Sequence, residues 1–322
     1  MAGPRDRDFR LVVGALGLSA LGDWVAIVAL GLYVKEVADS GLVVAALWVC
    51  LFGPSVAAAG LAGLLVDRLE ATRVLAGVSA LGVLGAAALA VTGGIAPVLV
   101  LTTLLGLVFA VSQPAEFALV PLLAGERGIR AANGHVETVR YVGYAVGPLL
   151  GGILFAVGGL GLAMLVDAAT FAAVAAAALA LRVRRAGASA EEEETPRARD
   201  GIVFLFRDRV LSLAMLVAFG SLLFMSAVWV GELFFVEDVL GRGEVAYGLM
   251  LSVWTVGMAL GAMLVSRRVA SGATATGALA AVAIQGAALA LPAAFLGLGF
   301  FLACMFMGGL ALGSWWIGRR AD

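Results

Sequence analysis

Long uncharged stretches recur along the chain, and they constrain its fold more than any other feature. A hydrocarbon core about 30 Å thick is crossed by about 20 apolar residues in a helix. A window of that length finds ten candidate spans in the 322 residues, at positions 11–33, 42–66, 74–93, 97–122, 135–156, 159–181, 210–235, 246–265, 274–294 and 297–317. Since hydrophobic residues make up 62% of the sequence and charged residues 13%, we expect an all-α, multi-pass membrane protein.

The basic residues predict how these spans are oriented. Of the 21 lysines and arginines, only Lys35 and Arg242 fall in connections on one side of the membrane, and Arg140 falls inside a span. All the others lie in connections on the opposite side. Because connections rich in basic residues stay in the cytoplasm, both termini are predicted to be cytoplasmic. The single lysine suggests a GC-rich bacterial genome, and hence a bacterial cytoplasmic (inner) membrane.

A first motif stands at the cytoplasmic end of the second span, in "GLLVDRLEATRVL". Its matching residues are Gly63, Leu65, Asp67, Arg68, Arg73 and Leu75. They resemble the loop signature between helices two and three of the major facilitator superfamily. The resemblance implies that Gly63, Asp67, Arg68 and Arg73 form a conformational latch at the cytoplasmic face. Glu70, Ala71 and Thr72 depart from the pattern, which expects a glycine and basic residues there, so we expect a weaker charge network.

A second motif lies in the fifth span, "GHVETVRYVGYAVGPLLGGIL". Its glycines and proline are Gly134, Gly143, Gly147, Pro148, Gly151 and Gly152. This spacing resembles the fifth helix of proton-coupled antiporters of the same superfamily. Small residues let helix backbones approach closely in a membrane, and a proline bends a helix. Ordinary helix packing explains any two of these glycines, whereas all six positions together favour the family.

The resemblance covers essentially the whole chain and implies the major facilitator fold, in which two six-helix bundles form a parallel repeat. Stretches such as "QPAEFALVPLL" and "DAATFAA" are similar to the branch of bacterial macrolide and siderophore exporters. We therefore predict a six-helix N-terminal bundle at residues 1–182, a cytoplasmic linker at 183–209 and an incomplete four-helix C-terminal bundle at 210–322. The chain is expected to lack the last two of the twelve helices.

Ionisable residues inside the bilayer are the candidates for a proton and substrate pathway, because burying them is costly. Asp23 lies near the middle of the first span, in the helix that lines the central cavity of the superfamily, and either titrates or only packs. Glu116 and Arg140 share a depth on consecutive helices, as a structural ion pair or a proton-responsive switch, with Glu137 as an alternative partner. Residues given less weight are His135 at the inner mouth, Asp167 and Glu232 toward the outer ends, and the aromatic residues Trp24, Trp229 and Trp254.

The sequence has no phosphate-binding GxxxxGK[ST] loop and no Cys/His spacing suited to a metal. We therefore expect that the protein is not an enzyme and that it binds no metal and no cofactor. The expected energy source is the proton gradient. The predicted function is export of a lipophilic or amphipathic small molecule by proton antiport, with the lipid bilayer and protons as partners and no nucleic acid. An uptake symporter on the same scaffold, a truncated non-transporting remnant, and a ten-helix transporter built of inverted repeats are the alternatives.

Overall fold

The computed structural model of the chain describes residues 4–124, 128–181, 227–268 and 275–318, together with residues 212, 213 and 216. Every regular element within these residues is helical. The predicted fold class is therefore confirmed over the part of the chain that the structure describes. The predicted linker, 183–209, lies outside the described residues.

Four helices follow one another through short connections at the start of the chain. They are α1 (Pro4–Ala38), α2 (Gly41–Arg68), α3 (Ala71–Val91) and α4 (Ile95–Ala124). The first is longer at both ends than the predicted span, because a helix can continue beyond the hydrocarbon into the interface. It ends at Asp39, whose φ of 44° lies in the left-handed region that aspartate tolerates better than most residues.

A fifth helical stretch, Gly128–Ala180, is interrupted at Gly159, where φ is 62° and ψ is −162°. Only glycine adopts this backbone conformation without strain. We call residues 128–158 α5 and residues 160–180 α6. The interruption falls where the sequence separates the fifth and sixth spans, so the two arms correspond to two predicted spans.

The second half of the chain contributes four further helices in the described residues. Helix α7, residues 227–239, ends in a π-helical turn, Phe235–Val239. It is followed by α8 (Glu244–Arg268), α9 (Ala275–Ala290) with a 3-10 turn at Leu291–Ala293, and α10 (Leu298–Gly318). Only the C-terminal part of the predicted seventh span is therefore described.

The helices have the length and the surface of membrane spans. Six helical stretches among the described residues are long and apolar enough to cross a bilayer, and one of them, Ala131–Ala180, contains both α5 and α6. Large apolar side chains face outward, including Leu42, Val56 and Val91, each more than 80% exposed. Exposing such an apolar surface to water is unfavourable, whereas lipid tails solvate it. The chain is therefore a multi-pass membrane protein.

The helices divide into two compact units. The first unit contains the start of α1, residues 34–133 with α2, α3 and α4, and, from residue 171, the end of α6 and the start of α7. Its helices approach at glycines. A Cβ on Gly106 of α4 would clash with the carbonyl oxygen of Leu51 in α2, and one on Gly82 of α3 would lie 2.7 Å from the ring of Phe171 in α6.

The second unit contains residues 13–33 of α1, residues 134–170 of α5 and α6, and the chain from Phe234 onward. Within it, α8 and α10 are in close contact. Gly257 and Gly261 of α8 lie on the carbonyl oxygens of Phe306 and Leu310, while Gly309 and Gly313 of α10 lie on those of Trp254 and Met258. Because the residue numbers rise together on both sides, the two helices run parallel.

The same kind of contact, a glycine of one helix against a carbonyl oxygen of another, is found between α2 and α4 in the first unit. It is also found between α8 and α10 in the second. The two pairs are offset by six helices, as the predicted parallel repeat requires. The division into bundles at residues 1–182 and 210–322 remains a prediction.

Candidate functional site

Three glycines of the α5 motif pack on α1. A Cβ on Gly143 would lie 2.9 Å from the carbonyl oxygen of Gly17, one on Gly147 would lie 2.8 Å from that of Leu21, and one on Gly151 would lie 2.9 Å from that of Val25. The successive contacts advance by one turn on both helices. The backbones of α1 and α5 therefore run parallel and approach closely at these glycines.

The other motif positions that make close contacts face α8. A Cβ on Gly152 would lie 2.5 Å from the carbonyl oxygen of Glu244, and Gly248 of α8 lies against the carbonyl oxygen of Pro148. The numbers rise on one helix as they fall on the other, so α5 and α8 run antiparallel. One motif thus supplies two packing faces, toward α1 and toward α8, because residues four apart share a face of a helix.

A hydrogen bond reinforces the α8 face next to the proline. The main-chain N–H of Leu149 donates to Oγ of Ser252, at 3.0 Å. Proline weakens the hydrogen-bond ladder around it, and a serine on the neighbouring helix is a usual way to satisfy a displaced backbone group inside a membrane. Sequence reasoning missed Ser252, since a lone serine in an apolar helix has no distinguishing pattern.

Gly134 does not take part in this packing. It is exposed, and a Cβ placed on it would meet no other atom within 4 Å. The position matches the antiporter pattern in sequence, but close packing does not explain its glycine.

Two acidic residues, Asp23 of α1 and Asp167 of α6, flank the close contact at Gly22. Asp23 is half-buried, next to Gly22. Asp167 of α6, which was given less weight from the sequence, is only 1% exposed. A Cβ on Gly22 would lie 2.9 Å from Oδ1 of Asp167. The sequence did not indicate this burial, because depth along a helix does not reveal which face the residue occupies.

Asp167 has the hydroxyl of Thr170 as its polar neighbour in the part of the chain that the structure describes. This hydroxyl donates to the carbonyl oxygen of Asp167 at 2.8 Å and lies 3.5 Å from its carboxylate oxygen. The shorter of these two contacts is therefore to the backbone. The one sequence feature that could have indicated this arrangement is the spacing of Asp167 and Thr170, one turn apart in a span without other charges.

Glu116 and Arg140 are both buried, being 5% and 6% exposed. Burial of both charges is what the predicted ion pair requires, and their pairing remains a prediction. Glu137, the alternative partner, has an exposed side chain, which argues against it. His135 is exposed as well, in keeping with an interfacial polar residue.

The loop motif lies at the end of α2 and the start of α3. Gly63 is half-buried and Arg68 is exposed, while Asp67 is the next-to-last residue of α2. Nε of Arg73 lies 2.8 Å from Oε2 of Glu70, and the hydroxyl of Thr72 donates to the other carboxylate oxygen of Glu70 at 2.8 Å. Two of the residues that depart from the superfamily pattern, Glu70 and Thr72, therefore bond to each other, and Glu70 also pairs with Arg73.

Aromatic side chains form a second candidate feature in the first unit. The rings of Trp48, Phe52 and Trp229 lie 5.9 to 6.2 Å apart between centroids. Trp48 and Phe52 are one turn apart on α2, and Nε1 of Trp48 is buried without a hydrogen-bond partner among the described residues. Of the three tryptophans named from the sequence, Trp229 belongs to this cluster and Trp24 packs at 6.0 Å on Tyr144 of α5.

Comparison with solved structures finds several transporters of the same fold. The chain is similar to the nucleoside transporter NupG, with a TM-score of 0.79 at 14% identity, covering 96% of this chain and 80% of that one. It is similar to a D-xylose-proton symporter, with a TM-score of 0.65 at 15% identity and coverage of 96% and 80%. It is also similar to a bacterial homologue of the human lysosomal transporter Spinster in an inward-facing, occupied conformation, with a TM-score of 0.66 at 15% identity and coverage of 98% and 75%.

At these identities the likeness to solved structures shows the fold alone. No curated protein sequence matches the chain. The sequence model of the Major Facilitator Superfamily, however, matches residues 12–319. The chain therefore belongs to the Major Facilitator Superfamily and is a multi-pass membrane transporter rather than an enzyme.

Proposed function

We propose that this transporter exports a lipophilic or amphipathic small molecule in exchange for protons, by alternating access. The observation that carries the proposal is the backbone packing of the α5 motif. Gly143, Gly147 and Gly151 touch α1, and Gly152 touches α8. The pattern resembles the antiporter helix, and the contacts supply a reason for it, since side chains there would hold the helices apart.

The aromatic cluster supports a lipophilic substrate. Phe52 and Trp229 are half-buried, and aromatic faces bind apolar and cationic rings. The indole N–H of Trp48, which has no hydrogen-bond partner among the described residues, adds one donor beside them.

The proposal places the protein in the bacterial cytoplasmic membrane, with both termini in the cytoplasm. It rests on the distribution of basic residues, since positively charged connections stay inside. Proton antiport across that membrane uses the inward proton gradient to drive the substrate outward.

The test is extrusion of fluorescent lipophilic cations and neutral drugs from efflux-deficient bacteria that express the chain. Cells are preloaded, and efflux is followed with and without a protonophore. The proposal predicts extrusion that the protonophore abolishes. Protonophore-sensitive accumulation of a sugar, nucleoside or peptide would indicate uptake symport instead, and a well-expressed chain that moves no compound would contradict the proposal.

A vector-only strain and the variant Gly147→Leu serve as controls. Gly147 touches the backbone of α1, so a leucine there is expected to abolish coupled export. Normal coupled export by both Gly147→Leu and Pro148→Ala would remove the reason for assigning the antiporter pattern.

A further inference from the structure

Asp167 is a buried acidic residue in an apolar helical stretch. It belongs to the apolar stretch Ala131–Ala180, eight residues after the break at Gly159, which places it about 12 Å along the helix axis. It is 1% exposed. It is also the only ionisable residue of α6. The chain thus places one carboxyl group at depth where an apolar residue would be less costly.

The surroundings of this carboxyl group suit its uncharged form. Its polar neighbour is the Thr170 hydroxyl, 3.5 Å away, which lies closer to a carbonyl oxygen. In the part of the chain that the structure describes, no lysine, arginine or histidine forms an ion pair with Asp167. An unpaired carboxylate buried in this way is strongly disfavoured.

The contact with α1 connects this group to helix movement. Gly22 has no side chain, and a Cβ there would clash with Oγ1 of Thr170 and lie 2.9 Å from Oδ1 of Asp167. The backbone of α1 therefore forms the wall that covers the carboxyl group. Any displacement of α1 relative to α6 changes how much water reaches it.

Other titratable groups lie on the helices packed here. Asp23 follows Gly22 on α1, and α5, which packs on the same stretch of α1, carries Arg140, Tyr141 and Tyr144. Helix α3 touches α6 at Phe171, and its one charged residue is Arg73, in its first turn. Asp23, which is half-buried, is the nearest of these in sequence to the covering glycine.

We propose that Asp167, enclosed by Gly22 and Thr170, is the group that carries the coupling proton of this transporter. The proposal rests on the proposed antiport function. A proton passes from water on the outer side to a carboxylate oxygen of Asp167. It returns to water on the inner side when α1 moves, and the carboxylate is restored with no covalent change elsewhere.

The first test uses the purified full-length chain in lipid vesicles with ethidium, a lipophilic cation, as the probe. Two rates are measured for each variant: ethidium exchange without a pH gradient, and transport driven by an imposed gradient. Asp167→Asn can neither take up nor release a proton, so it is expected to lose gradient-driven transport although it reaches the vesicle membrane in the wild-type amount. Asp167→Glu is expected to restore it with a shifted pH profile. Gradient-driven transport that persists in Asp167→Asn would overturn the proposal.

Asp23→Asn is the matched comparison. If Asp23 only passes protons to Asp167, this variant slows gradient-driven transport but does not uncouple it from the gradient. An Asp23→Asn protein that exchanges ethidium normally and is uncoupled, beside a coupled Asp167→Asn protein, would assign the proton to Asp23 instead.

A second measurement does not depend on transport. Infrared difference spectroscopy of the protein in lipid, recorded between acidic and alkaline pH, detects the C=O stretch of a protonated carboxyl group. One component of this band is expected to be present in the wild-type chain and in Asp23→Asn and absent from Asp167→Asn. A band unchanged in Asp167→Asn would refute the assignment even if ethidium is transported. A band that follows Asp167 in a chain that moves no ethidium would leave the proton site standing and contradict drug export.

Discussion

The main-chain N–H of Leu149 in α5 donates a hydrogen bond to Oγ of Ser252 in α8, with 3.0 Å between nitrogen and oxygen. The donor directly follows Pro148, whose ring disturbs the ladder of the helix. Ser252 is buried. The backbone N–H next to the proline of one helix is therefore satisfied by a polar group of another, where an unsatisfied N–H is costly.

Ser252→Ala is expected to lower the free energy of unfolding by about 1 kcal/mol, because it removes the acceptor of the Leu149 N–H. The effect is measured as a lower melting temperature of the protein in detergent. In a Pro148→Ala background the helix can satisfy this N–H itself, so Ser252→Ala is expected to cost less there. An equal cost in both backgrounds would show that the serine acts independently of the proline.

Gly147→Ala is expected to destabilise the protein by about 1 to 3 kcal/mol, as overpacking usually does. The added methyl group would lie 2.8 Å from the carbonyl oxygen of Leu21 and 2.7 Å from Cβ of Trp24. Gly134→Ala is the matched control in the same helix, because its methyl group meets no atom within 4 Å. The control is expected to be neutral or stabilising by up to about 1 kcal/mol, since alanine favours helix over glycine. Similar melting temperatures for the two variants would contradict the packing described for α5.

Gly309→Ala is expected to separate α8 from α10. Its methyl group would clash with the carbonyl oxygen of Trp254 and lie 3.0 Å from the nitrogen of Met258. We expect a loss of stability of about 1 to 3 kcal/mol, read from thermal unfolding in detergent. Gly286→Ala in α9, where the methyl group meets nothing within 4 Å, is the control. A Gly309→Ala protein as stable as this control would exclude close contact between α8 and α10.

Trp48→Phe removes the indole N–H that is buried without a partner among the described residues and keeps an aromatic ring beside Phe52 and Trp229. Because a buried unsatisfied donor costs about 1 to 3 kcal/mol, the loss of contact area is offset, and stability is expected to stay close to that of the wild type. Trp48→Ala, which also removes the ring, is expected to cost about 3 to 5 kcal/mol. Strong destabilisation by Trp48→Phe would show that the N–H has a partner.

The same variants test the substrate proposal. If the indole N–H binds a lipophilic substrate, Trp48→Phe raises the concentration needed for half-maximal export without changing the amount of protein in the membrane. The measurement is export rate against substrate concentration in cells. An unchanged dependence would place the substrate elsewhere.

The sequence predicted the helices because apolar runs of bilayer length are typical of membrane-spanning helices and rare in other structures. The separation of the fifth and sixth spans coincides with Gly159, whose φ is 62°. The spacing of glycines in the fifth span predicted close packing, and the structure confirms it for Gly143, Gly147, Gly151 and Gly152. These features depend on residue type and spacing, which a sequence contains directly.

Burial around the candidate site could not be predicted in the same way. In a helix that is apolar on all sides, hydrophobicity does not distinguish the face toward lipid from the face toward protein. Asp167 was therefore placed by depth alone, and its enclosure by Gly22 went unseen. Ser252 was missed for the same reason, since its role depends on which residue of α5 lies opposite.

The paired glycines of α8 and α10 have a consequence for motion. Where main chain lies directly on main chain, no flexible side chain is present to change rotamer and absorb sliding. A slip of one residue would bring Leu310 to the position of Gly309, or Leu312 to that of Gly313, where a side chain would clash with α8. The two helices are therefore expected to move together as one rigid body whenever the transporter changes conformation. The contacts with neighbouring helices are then the ones that change.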